Sequence, residues 1–302
     1  MRRDQLPQHE RPTYVMPQYK SVYVAVSKAA CTSLKWLVAD VQGEDPQRFY
    51  RSSGRAVTRD MCIHSRAKWR HTPTLHSLSD TKLAAISQEE GWFVFTVVRH
   101  PSARLFSAWQ SKLLLREPRR VRRHGDAPWF PRVPRSTEDV VEDFGRFTTA
   151  LARGSAQKLV ERDRHFMPQW REAALDRMPY TRVYDTPEIP RLLEDFERHL
   201  RAQGWTGEIR LRRSNETPLL PIAALFTPEV REIVSALYED DFSRLGYEGV
   251  LPPKLHPDDA YPPAAFEEIG RLVERSERIG DLAAVAQRLQ RRKAPEPAPA
   301  QS

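Results

Sequence analysis

The chain has 302 residues, 40% of them hydrophobic, two cysteines and a formal net charge of +8. That length suits one large α/β domain or two small ones. No apolar run approaches the roughly 20 residues that span a bilayer, and Cys31 and Cys62 make neither a disulfide framework nor a zinc-ligand pattern. The charge favours an anionic partner, which is a nucleotide, a sulfated or acidic glycan, or nucleic acid. The charged start has no apolar stretch after it, so it reads as no secretory signal, and the expected compartment is the reducing cytoplasm.

Residues 1–18, rich in proline and charge, read as a flexible arm. Residues 22–26 are a short apolar run suited to a strand buried on both faces, and residues 34–41 carry apolar side chains at helical spacing. Between them lie Ser27, Lys28, Ala29, Ala30, Cys31, Thr32 and Ser33. A strand that turns through such a loop into a helix points the helix's first free N–H groups at whatever sits above the sheet edge, which makes an anion site. Lys28 adds charge, and Thr32 and Ser33 add hydroxyl donors; a Ser or Thr here also serves as an ordinary N-cap. No glycine precedes Gly43, so this is not a Walker loop. Ala29 and Ala30 let backbone approach a ligand closely, but alanine does not favour positive φ.

Residues 42–90 show no clean period, apart from a loop leading into a short helix over 74–87. Residues 93–98 read as a second buried strand, ending at Arg99, His100 and Pro101. Pro101 suits the first turn of a helix that continues over 103–115. Arg99 then stands at the carboxyl edge of a parallel sheet, where open α/β folds bind ligands, and Ser107 lies two turns along the helix. Residues 116–135 are strongly basic and punctuated by proline, and read as a long loop, either a lid or a solvated insertion. Further elements are a helix over 138–159, a strand over 181–184, and helices opened by Thr186-Pro187 and Thr227-Pro228. The main domain is expected over 19–249, followed by a proline-rich linker over 250–265, an accessory amphipathic helix over 266–292 and a disordered tail over 293–302.

Two strand-to-helix anion sites suit a nucleotide with anions at two positions. The joint pattern resembles the sulfotransferases that use 3′-phosphoadenosine 5′-phosphosulfate (PAPS). Within these it is most similar to the membrane-type carbohydrate family that includes chondroitin 4-O- and heparan 2-O-sulfotransferases, as a soluble, bacterial-type member. In that family the loop at 27–33 grips the 5′-phosphosulfate. The run from Val98 through Arg99, Pro101, Arg104, Leu105, Ser107, Ala108 and Trp109 resembles the signature whose Arg and Ser bind the 3′-phosphate. His165, Pro168 and Gln169, the region of Asn215, and Tyr238, Asp241, Phe242, Gly246 and Tyr247 resemble later landmarks in order, so the resemblance covers about 20–247. Two departures stand out: Ser27 replaces the usual proline, which is expected to loosen the turn, and the cysteine pairs of Golgi members are missing.

The resemblance implies a P-loop NTPase-like sulfotransferase fold, α/β with a central parallel sheet flanked by helices. It implies PAPS as co-substrate with no metal, and as acceptor a hydroxyl on a carbohydrate or glycosylated small molecule. Lys28 is expected at the bridging oxygen, Thr32, Ser33 and Lys35 at the 5′-phosphate, and Arg99 and Ser107 at the 3′-phosphate. The base that takes the acceptor proton is His71, His76 or His165. The resemblance favours the pair His71 and His76, which precede Arg99 by about the distance at which related enzymes carry a catalytic histidine, while His165 could instead order its loop or contact the acceptor. Two other readings remain: a P-loop phosphotransferase, which needs a magnesium-binding acid, and a non-catalytic nucleic-acid module. The latter suits poorly a basic run at 116–124 without interleaved aromatics. The late helix is expected to dock across the domain or to make a homodimer.

Overall fold

The computed structural model describes residues 1–8, 12–50, 58–212 and 217–293. Strands β1 (Thr13–Met16) and β2 (Ser21–Val24) pair antiparallel, with Thr13 opposite Val24. The chain then passes through the loop at 27–30 into α1 (Cys31–Val41), α2 (Pro46–Tyr50), a 3-10 turn (Asp60–His64) and α3 (Asp80–Ala84). β3 (Phe93–Val98) follows and lies parallel to β2. Next come α4 (Pro101–Trp109), a π-helical turn (Gln110–Leu114), α5 (Pro118–His124), α6 (Thr137–Arg153), α7 (Gln157–Arg162) and α8 (Gln169–Ala173). β4 (Arg182–Asp185) joins the free side of β3 in parallel. The described chain ends with α9 (Ile189–Ala202), α10 (Pro228–Leu237), α11 (Glu239–Leu245) and α12 (Pro263–Lys293). The result is the expected α/β architecture: a mostly parallel sheet in the order β1-β2-β3-β4 with helices around it.

All residues of β1, β2 and β3 are buried, because α1 and α9 contribute to one hydrophobic core with the sheet. A second core gathers Phe106, Trp109, Phe144 and Phe147 with α10 and the start of α12. The loop at 27–30 and Arg99 follow the carboxyl ends of the parallel strands β2 and β3.

Four expectations are corrected. The arm expected over 1–18 contains β1, which is no loose end: its outer edge is covered by the segment after Thr72, with Val15 N–H donating to Pro73 O at 3.0 Å and Leu75 N–H to Thr13 Oγ1 at 3.1 Å. Such cover removes the hazard of an unpaired edge. The basic loop contains α5, with Pro118 in its first turn, where a missing N–H costs nothing. The single helix over 138–159 is two, α6 and α7, parted at Gly154.

The stretch 250–265 is not a free linker. Ser102 Oγ donates to Val250 O at 2.5 Å, His256 N–H to Pro221 O at 2.8 Å, and Tyr261 donates through its N–H to Thr137 Oγ1 at 2.9 Å and its OH to Leu220 O at 2.6 Å. These bonds lay α12 against the domain, where Ile269 and Val273 enter the second core. The stripe does not stay buried: Leu282, Val285 and Leu289 are 57%, 52% and 53% exposed. In the monomer Ile269→Ala is therefore expected to cost about 2–4 kcal/mol and Leu282→Ala less than about 0.5 kcal/mol, measured by chemical denaturation at high dilution. Equal costs would mean the helix docks differently. The tail over 294–302 and Asn215 lie outside the described residues.

Candidate functional site

The loop after β2 is held from beneath by a buried ionic network. Glu172, at the end of α8, accepts the Ser27 N–H at 3.0 Å and the Ser27 Oγ–H at 2.7 Å. It also pairs with Arg104 at 3.0 Å and Arg164 at 2.9 Å. Arg104, 1% exposed, spends its other donors on the carbonyls of Ser27, Met167 and Arg164. Burial alone would raise the Glu172 carboxyl, but Arg164, Arg104 and Ser27 outweigh it and hold it below the ordinary range. Ser27 thus tightens the turn rather than loosening it, since a proline would offer Glu172 neither donor.

Above this base, Lys28 and Ala30 take left-handed backbone, φ 70° and 54°. Each costs about 1–2 kcal/mol for a residue with a Cβ, which the rigid base below sustains; such strain gathers at ligand-binding loops. The same curl brings the chain into α1 at Cys31, with Thr32 and Ser33 in its first turn. The N–H groups of that turn have no acceptor within the helix. Ala29 is buried in the core and positions the loop through packing.

Lys28 Nζ donates to Ser111 Oγ at 2.9 Å. Ser111 comes from the π-helical turn after α4, a wider turn of a kind frequent at functional sites. Burial, with Lys112 next and Arg99 and Arg104 adding to it, lowers the Lys28 ammonium to about 7. Arg99, at the end of β3, reaches the Lys28 carbonyl with its guanidinium at 3.4 Å. The Gln169 side chain clamps the Arg99 backbone on both sides, accepting its N–H at 3.1 Å and donating to its carbonyl at 2.7 Å. Gln169 is fixed in turn by Asp241, which accepts the N–H groups of Gln169 and Trp170, both at 2.9 Å. Gln169 and Asp241 therefore position Arg99. Ser107 is buried on α4.

A cleft of about 1390 Å³ opens beside the loop, lined by Ser27, Cys31, Lys35, His64, Lys112 and His165 among others. Lys28, Ala29, Ala30, Thr32, Ser33, Arg99 and Ser107 are not among the described residues lining it. Its far walls are α5, α7 and α12, which bring Arg119, Arg122, Arg123, Lys158 and Arg162 to its rim. Gly280 lets α12 close on α5, since a Cβ there would stand 3.2 Å from Pro118 Cβ.

The three expected histidines separate. His165 lines the cleft, and its Nδ1 meets Asp163 Oδ1 at 2.9 Å while Asp163 also pairs with Arg120. Burial and then Lys112 lower His165 to about 3, so the ring is neutral at ordinary pH despite the carboxylate. His71 is exposed, its N–H bonded to Glu44 and its carbonyl to Gln42, and neither it nor His76 is among the cleft's described lining. The residue that the sequence reading missed is His64, with Nε2 3.0 Å from Thr32 Oγ1 and Nδ1 3.0 Å from Lys35 Nζ. It comes from a stretch without periodicity, and nothing local to it distinguishes it from a surface histidine.

Two adjacent parallel strands feed a lysine loop and an arginine junction at one edge of the sheet, the place where open α/β folds bind ligands. The Sulfotransferase family model matches residues 11–248, and the chain belongs to that family. It is a transferase of the sulfuryl-transfer kind. Nothing among the curated proteins or the solved structures matches it. Among the described residues no helix is long and apolar enough to cross a membrane, and no group of His, Cys, Asp and Glu is arranged to hold a metal ion.

Proposed function

We propose that the protein transfers the sulfuryl group of PAPS to a hydroxyl of a carbohydrate or glycosylated small molecule. One observation carries this reading: Lys28 and Arg99, distant in sequence, meet at the carboxyl edge of β2 and β3, with 3.4 Å between the Arg99 guanidinium and the Lys28 carbonyl. Two cationic groups on strained or clamped backbone suit a ligand with two anionic ends. In this reading the backbone of Ala29, Ala30 and Cys31, the hydroxyls of Thr32 and Ser33 and the charge of Lys35 hold the 5′-phosphate, and Arg99 and Ser107 hold the 3′-phosphate. The acceptor oxygen bonds to sulfur as the bond from sulfur to the bridging oxygen breaks. Lys28 meets the charge left on that oxygen.

The acceptor's proton passes to His165, whose low proton affinity in the free protein, about 3, is raised by an anion bound beside it. Asp163 accepts from Nδ1, so the ring's lone pair is on Nε2, the tautomer a base requires. His71 and His76 are not among the described residues lining the cleft that His165 lines, and His165 is preferred for this role. The cations on α5 and α7 favour an acceptor that carries negative charge of its own. The protein acts as a soluble cytoplasmic enzyme, and the exposed stripe of Leu282, Val285 and Leu289 is the surface through which it dimerises.

Calorimetric titration with 3′-phosphoadenosine 5′-phosphate, ATP and random oligonucleotides tests the donor. Selective binding of the first is expected; preference for ATP or for oligonucleotides would replace this reading with a phosphotransferase or a nucleic-acid module. Arg99→Ala should weaken the bisphosphate by about 2–3 kcal/mol and leave adenosine 5′-phosphosulfate, which lacks the 3′-phosphate, nearly unchanged.

Binding should also take up a proton. Lys28 sits near 7 when free, and an anion beside it favours the charged form. Affinity therefore falls as pH rises above 7, and the measured heat differs between buffers of different ionisation enthalpy. In the free protein the sign is opposite: the unfolded chain binds more protons between 7 and the ordinary 10.5, so this group's contribution to stability rises with pH across that window. Binding without proton exchange near pH 7–8 would remove Lys28 from contact with the anion.

A further inference from the structure

His64 ends the 3-10 turn Asp60–His64 and lines the cleft beside α1. Each of its ring nitrogens meets one residue of that helix, Nδ1 with Lys35 Nζ and Nε2 with Thr32 Oγ1, both at 3.0 Å. An ammonium offers only donors, so Nδ1 accepts from Lys35. A neutral imidazole that accepts at Nδ1 carries its proton on Nε2, and that N–H then occupies a lone pair of the Thr32 hydroxyl. The surroundings keep the ring neutral: burial first, then Lys35 and Lys112, hold His64 well below the ordinary histidine range. The Thr32 hydroxyl is left with one hydrogen to place. Its other neighbour is Met61 Sδ at 4.0 Å, a weak acceptor that an anionic oxygen easily displaces.

We infer that Lys35, His64 and Thr32 form a one-way hydrogen-bond relay in which His64 is a positioning residue, fixing the Thr32 hydroxyl as a donor to a phosphate oxygen at the start of α1. The inference rests on the reading of this loop as the seat of the donor's 5′-phosphate. A serine or threonine hydroxyl can accept as readily as it donates, and turning it before the ligand arrives removes that choice. One N–H of Lys35 sets the direction of the relay, and its charge and remaining donors stay available to the same phosphate.

The test is titration of the full chain with 3′-phosphoadenosine 5′-phosphate and with adenosine 3′-phosphate, which lacks the 5′ group. His64→Ala is expected to weaken the first by about tenfold and the second by less than about twofold. Thr32→Val should do the same, and the double variant should be no weaker than either single one, because both remove one relay. His64→Gln presents an amide oxygen and an amide N–H, and should return the affinity to within about threefold of the original chain. The loss should not vary between about pH 6 and 8, where a titrating histidine would make it vary. Equal losses for the two nucleotides, additive losses in the double variant, or a Gln variant as weak as the Ala variant would each overturn the relay. Should His64→Ala fail to fold, Thr32→Val and His64→Gln carry the comparison. An unaltered chain that binds neither nucleotide overturns the donor reading itself and takes the relay with it; binding by that chain with uncoupled variants overturns the relay alone.

Discussion

Lys28→Ala is expected to lower kcat for sulfuryl transfer by about 10²–10³, the loss that follows removal of one preorganised group facing developing charge. The fold should survive. In the free protein the ammonium's hydrogen bond goes to the neutral Ser111 hydroxyl, and burial has already lowered its proton affinity, so truncation leaves no buried charge without a counterion. Initial rates with PAPS and a sulfatable acceptor, together with a melting curve, separate the two effects. Turnover like that of the unaltered chain would remove Lys28 from the chemistry, and a collapsed melting temperature would make it a structural residue.

Glu172→Ala should do the reverse, destabilising the fold by about 3–5 kcal/mol. Arg104 would remain buried at 1% exposure without its carboxylate, and the Ser27 N–H and Oγ–H would lose their acceptor. The left-handed residues Lys28 and Ala30 rest on that base, so donor affinity should fall with stability. Because the native Glu172 carboxyl is held below its ordinary 4.5, its contribution is complete above that value and is lost as pH falls through the native value. Urea denaturation at neutral pH and near pH 4 tests this: a gap between the two proteins that does not narrow in acid would mean the carboxylate is not what holds the loop.

Both expectations concern one small stretch of chain, and its parts were not equally legible in the sequence. The passages from β2 into α1 and from β3 into α4 could be read directly, because a short apolar run followed by helical spacing is a local pattern. Lys28 and Arg99 were visible as charges at the two junctions for the same reason. β1 was hidden: four strand residues inside a proline-rich, charged segment have too few neighbours in sequence to show a period. Its strand state comes from pairing with β2 and from the cover that Pro73 and Leu75 give its outer edge. α5 was hidden by its charge, since a seven-residue helix whose arginines face a cleft has no apolar stripe to display.

The sequence by itself determined the family-like signatures, the two strand-to-helix junctions and the basic balance, all properties of neighbouring residues or of the whole composition. Tertiary structure decided which charges meet. It chose His64 and His165 over His71 and His76 for the cleft, and gave Ser27 its carboxylate partner 145 residues away. It also made α12 a wall of the cleft as well as part of the second core. The reason is physical: periodicity reports what a residue's near neighbours impose on the backbone, whereas a hydrogen bond or ion pair depends on separations of about 3 Å between groups that only the packing of the two cores brings together.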